Sequence, residues 1–212
     1  MRALRRGLLV TTICLAVSVF LSAGVSHAKK GGSKVKVEVE ADLQPCGAVA
    51  PPAPCDPTGA PPEPDAEGKA KHKKETRNGV IKKDEFKGTV KIPVDPASLL
   101  GITDETAAEN ADIRLILSRN GTDFAECLLE FDEIDEDDDD DELQAQFKVH
   151  VRIHKGATQA KKGVCDIDLG TSDIQSGVPD SQSGDVATAT FVIDPNTRGA
   201  DVDFLQGTFE RH

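Results

Sequence analysis

Between Glu130 and Glu142, 11 of 13 residues are aspartate or glutamate, ending in the unbroken run Asp135, Glu136, Asp137, Asp138, Asp139, Asp140, Asp141 and Glu142. Carboxylates at this density could ligate a hard cation, dock a basic surface, or supply a pair for acid–base hydrolysis. The EF-hand spacing fails. Counted from Asp135, the sixth position needs glycine and is Asp140, while the twelfth needs glutamate and is Gln146. Without a glycine turn the neighbouring charges repel one another, so order in the run requires an ion or a basic partner. The expectation is a solvated acidic loop over residues 132–142 that docks a basic partner. Ca2+ binding at residues 135–142 is the alternative, and a small secreted hydrolase using paired carboxylates is a further one.

Other candidates are weaker. Asp166, Asp168 and Asp173 surround Gly170, and alternate aspartates before a glycine can open a calcium loop, but they also fit the wet face of a strand. Asp201 and Asp203 read the same way. His150 and His154 would be neighbours on a helix; on a strand they lie about 13 Å apart at roughly 3.3 Å per residue, too far for one ion. No G-x-S-x-G elbow, H-E-x-x-H pair or phosphate-binding glycine loop is present. Tryptophan and tyrosine are absent, which removes the rings that stack sugars and anchor interfaces. A non-catalytic binding or structural role is expected.

The cysteines point to a compartment. Cys46, Cys55, Cys127 and Cys165 remain once Cys14 is set aside, an even number with no CxxC spacing for zinc. Cys127 and Cys165 both fall on the inward phase of their strands, so the expected pairs are Cys46–Cys55 and Cys127–Cys165. Arg2, Arg5 and Arg6 precede an uncharged run from Leu8, and Ser26-His27-Ala28 ends it with small residues at the cleavage positions. These are the parts of a secretory signal cleaved after Ala28. The expected mature chain, 29–212, is secreted or periplasmic. Loss of the three arginines takes the formal charge from −12 to −15. Such a surface repels phosphate backbones, so no nucleic-acid partner is expected, and no membrane partner after cleavage.

The elements that must position these groups are strands. Val35, Val37, Val39, Ala41 and Leu43 alternate with charged residues. A proline-rich loop follows over 45–64, holding eight of the twelve prolines. From Lys69 to Lys91 nine Lys or Arg face three acids, a basic stretch that could meet the acidic loop within one molecule or between two. Asn78-Gly79 and Asn120-Gly121 are hairpin turns, and Asn120 also lies in an N-x-T sequon. Asp95-Pro96 and the segment 103–110 suit short helical turns. The stretch 143–154 gives the cleanest alternation, and further strands follow at 164–169, 187–193 and 202–209. Eight or nine hairpin-rich strands predict one all-β domain, an antiparallel β-sandwich of immunoglobulin-like or jelly-roll-like type.

Overall fold

A computed structural model describes residues 33–49, 55–56, 59–136, 142–154, 156–169, 175–193 and 201–212. The proposed leader, residues 50–54 and 57–58 of the proline-rich stretch, residues 137–141 and Asp173 lie outside these. Eleven strands and one short helix form in chain order: β1 Lys34–Val49, β2 Glu67–Arg77, β3 Val80–Pro93, α1 Glu105–Glu109, β4 Ile113–Arg119, β5 Thr122–Glu136, β6 Leu143–His154, β7 Ala157–Lys162, β8 Val164–Asp166, β9 Val186–Phe191, β10 Val202–Thr208 and β11 Glu210–Arg211. No helix among the described residues is long and apolar enough to cross a membrane.

The fold is all-β and every strand pairing is antiparallel. It is not two separate sheets. The order β6-β3-β2-β1-β10-β9-β4-β5 returns to β6 through a β5–β6 pairing, so eight strands close into a barrel. This corrects the expected sandwich. Two strands are long enough to serve both halves: β1 pairs with β2 through its first part and with β10 through its last, and β5 pairs with β4 and then with β6. Each carries a register shift, between Pro45 and Val49 in β1 and between Phe131 and Glu133 in β5. Such bulges bend a strand around a corner.

Pro45 was expected to end its strand. Instead it pairs opposite Leu205, and β1 runs on to Val49. Proline is tolerated there because it stands beside a bulge, where a ladder hydrogen bond is already missing.

The alternating apolar positions point inward and fill the barrel. Phe86, Phe147, Phe204, Leu115, Ile92 and Leu205 are all fully buried. An eight-stranded barrel is just wide enough for its own side chains, so its interior is a core. Asn78 and Gly79 have φ of 55° and 74°, as a type I′ turn requires, and Asn120 and Gly121 repeat the arrangement at 53° and 75°. Asp104 caps α1 by accepting from the Ala107 amide, and Asp95 accepts from Ala97 in the turn before it. Cys127 and Cys165 face each other as direct partners of β5 and β8, with Cα atoms 3.9 Å apart and both side chains buried; Cys46 is bonded to Cys55. Both expected disulfides are present, and they suit an oxidising compartment.

Candidate functional site

The acidic run is carried by the β5–β6 hairpin. Pairing extends to Glu136 opposite Leu143, whereas β4 leaves β5 at Leu129. The last part of β5 therefore rests on β6 alone, anchored by an edge-to-face contact of Phe131 with Phe147 at 5.9 Å. The bulge turns Asp132 toward the barrel wall, where Lys148 Nζ reaches it at 2.5 Å and Lys162 also pairs with it. Glu133, Asp135 and Glu142 are exposed. Of the predicted acidic residues, Asp137 to Asp141 lie outside the described residues, and so does the side chain of Glu136. Among the described residues no three metal-ligating side chains converge.

The basic stretch is already engaged. Lys71 holds Glu38 at 2.8 Å and Glu40 at 2.9 Å, Lys69 reaches Glu40 at 2.5 Å, and Lys91 pairs with Glu67 at 3.1 Å. These carboxylates belong to the wet faces of β1 and β2, in register across the ladder. Hydrogen bonds from Lys36 and Lys71 hold Glu38 at a pKa of about 2, and the bonds that Lys71 makes to Glu38 and Glu40 raise its own. The local excess of lysine is thus largely matched by its neighbouring strand.

Residues that sequence reasoning passed over form a deeply buried polar group among the described residues. His72 of β2 and Asp84 of β3 both point inward, at 1% and 5% exposure. His72 Nε2 lies 2.8 Å from Asp84 Oδ1, and Nδ1 lies 2.9 Å from the Ser181 carbonyl. A carbonyl only accepts, so Nδ1 carries a proton and donates it. Nε2 and the Asp84 carboxyl share the second hydrogen bond of the ring.

Ser181 belongs to a segment, residues 175–185, tied down at several points. Lys74 Nζ bonds Asp180 at 2.9 Å. Burial pushes the Asp180 carboxyl up, but the Lys74 hydrogen bond and the nearby positive charges together outweigh it and the net shift is down. Arg119 makes a two-pronged contact with Asp185 at 2.8 Å on each arm and bonds the Asp180 carbonyl, while its guanidinium stacks 4.9 Å over Phe124. Asp185 also accepts from the Gln182 amide, and its carbonyl accepts from Phe209 N.

Asp84, His72 and Ser181 together invite a charge-relay reading, but the geometry gives a clasp. Both ring nitrogens are committed, one to Asp84 and one to a backbone carbonyl, so neither is left to take a proton from the Ser181 hydroxyl. The cue in the sequence was phase. His72 follows Ala70 on the inward side of β2, and Asp84 precedes Phe86 on the inward side of β3.

The remaining candidates separate. His150 is half-buried and bonds Glu85 at 2.7 Å, while His154 is exposed. Asp166 accepts from the Asp168 and Gln175 amides and so shapes a turn. Asp201 and Asp203 depart from the expected wet face, with both buried. Asp203 sits opposite Thr190 of β9, whose hydroxyl donates to it at 2.6 Å, and burial raises its pKa. Comparison with protein-family models, curated proteins and solved structures returned no match for this chain.

Proposed function

We propose that this is an exported, non-catalytic β-barrel domain whose acidic β5–β6 hairpin docks a basic partner. The observation that carries this reading is the hairpin's position. It outruns the β4 side of the barrel, and it exposes Asp135 and Glu142, which no ion pair holds among the described residues. The barrel interior is filled by its own core, which puts recognition on the outside. Because Lys69, Lys71 and Lys91 are occupied by Glu40, Glu38 and Glu67, a basic surface on another protein is favoured over self-association through Lys69–Lys91.

Ca2+ binding at residues 135–142 is the second reading, favoured by the exposure of Asp135 and Glu142 on the two arms of one hairpin. Calorimetric titration with an oligolysine peptide and, separately, with calcium chloride tests both. The variant has residues 135–142 replaced by glycine and serine. Docking predicts peptide heat in the native chain and none in the variant, with unchanged melting. Equal peptide heat in both would overturn it, and saturable heat for calcium alone would favour the second reading.

A further inference from the structure

The outer faces of β3, β6 and β7 bring a second charge cluster together. Lys87 lies opposite His150, and His150 opposite Lys162; two pairs along, on the same face, Thr89 lies opposite Lys148. The register shift between β6 and β7 inserts Lys161 beside Lys162. Together these residues line a cavity of about 340 Å3 that has four lysines and one histidine in its wall and no carboxylate.

The contrast with the neighbouring groove is informative. That groove, about 470 Å3 on β1, β2 and β3, is lined by Lys69 and Lys91 but also by Asp42 and Glu67, so its charges balance. In the β3–β6–β7 cavity the counter-charges stand only at the margins. Asp132 holds Lys148 and Lys162 from the β5 side. Glu85 holds His150 at 2.7 Å and lies 3.7 Å from Lys87, and Glu133 is 3.7 Å from Lys148. Lys161 has no ion pair among the described residues. Burial chiefly lowers the His150 pKa against the Glu85 hydrogen bond, and the Lys87 and Lys161 charges add to the lowering.

We propose that this cavity is a binding site for a small oxyanion, phosphate or sulfate, either free or as the ester of a larger molecule. The ammonium groups of Lys87, Lys148 and Lys161 would neutralise it and the Thr89 hydroxyl would donate to it. Ammonium groups act on phosphate as point charges, so several converging lysines can hold a tetrahedral anion without a fixed donor fork. A local positive field of this kind operates inside an acidic protein because exposed charges beyond about 10 Å are screened at physiological salt. The proposal stands independently of the docking hairpin.

The test is calorimetric titration of the full chain with inorganic phosphate, inorganic sulfate and glycerol 2-phosphate at matched ionic strength. The expected result is saturable binding that weakens at least tenfold in the exposed double variant Lys87→Gln/Lys161→Gln. It should stay unchanged in Lys69→Gln/Lys91→Gln, which alters the balanced groove. Tighter binding of the inorganic ions identifies a free anion as the ligand, and tighter binding of the ester identifies a group borne on a larger molecule. Absence of saturable heat for all three overturns the proposal, as does equal weakening in the two double variants.

Discussion

Asp84 and His72 meet 2.8 Å apart inside the barrel, from adjacent strands, with the other imidazole nitrogen on the Ser181 carbonyl. This clasp joins the β2–β3 sheet to the 175–185 segment through groups that solvent barely reaches. Removing one partner leaves a buried polar group unsatisfied, which costs roughly 3–5 kcal/mol for a buried pair. Asp84→Ala and His72→Ala should each lower stability by that order in urea unfolding. The double variant His72→Leu/Asp84→Leu should lose much less than the sum, because no buried titratable side chain is orphaned and only the Ser181 carbonyl loses its donor. Additive losses, or single losses below about 1 kcal/mol, would contradict the clasp.

Gly163 is required where β5 and β6 part company. Its φ is 57°, and a Cβ there would run into the Leu128 carbonyl and lie 3.2 Å from Val149 Cγ2. Gly163→Ala should cost about 3 kcal/mol or more, combining left-handed strain with a backbone clash. Gly121→Ala, at φ of 75° with nothing within 4 Å, should cost only about 1 kcal/mol. Equal costs in thermal unfolding would show that the corner tolerates a side chain.

The two disulfides should differ in weight. Cys127–Cys165 spans 38 positions and Cys46–Cys55 spans 9. The chain-entropy model gives losses of about 3.9 and about 2.7 kcal/mol on removal. Paired alanine variants compared by urea unfolding should keep that order; the reverse order would mean that the closed loops do not dominate.

Acid should unfold the protein in two stages. Burial pushes Glu85 up, yet hydrogen bonds from Lys83 and His150 bring it down to about 2, and Glu38 is also held at about 2. Lowered carboxyl values give stability that is complete above the ordinary glutamate value of 4.5 and is lost as pH falls toward about 2. His150, lowered from 6.5 chiefly by burial, protonates more readily when unfolded and begins to subtract stability below that value. Asp203, raised by burial, works in the opposite sense as pH falls. The urea midpoint should therefore hold above pH 6.5, decline gently at first, and drop steeply below 4.5. Glu85→Gln should flatten the steep part. An unchanged slope would remove Glu85 from the account.

Much of the local structure was legible. Period-2 alternation located the strands, Asn-Gly pairs located two hairpin turns, and the inward phase of Cys127 and Cys165 found their bond. Closure was not legible. Alternation reads alike in a barrel and a sandwich, and the closing contacts join residues far apart in the chain, such as Gln44 with Gln206. Pro45 also concealed the second half of β1 by resembling a strand end. His72 was lost inside a lysine-rich stretch, although its phase set it apart from Lys69, Lys71 and Lys73. The burial of Asp203 depends on Thr190 across the ladder, which no local pattern reports.

The docking reading is tested most directly by measuring oligolysine affinity across a range of salt concentrations. The native chain is compared with the variant in which residues 135–142 are glycine and serine. Exposed charges interact through screened fields, so an acidic docking hairpin predicts binding that weakens steeply with salt in the native chain. It also predicts that binding is lost in the variant while the urea midpoint stays the same. The same affinity and salt dependence in both proteins would contradict it.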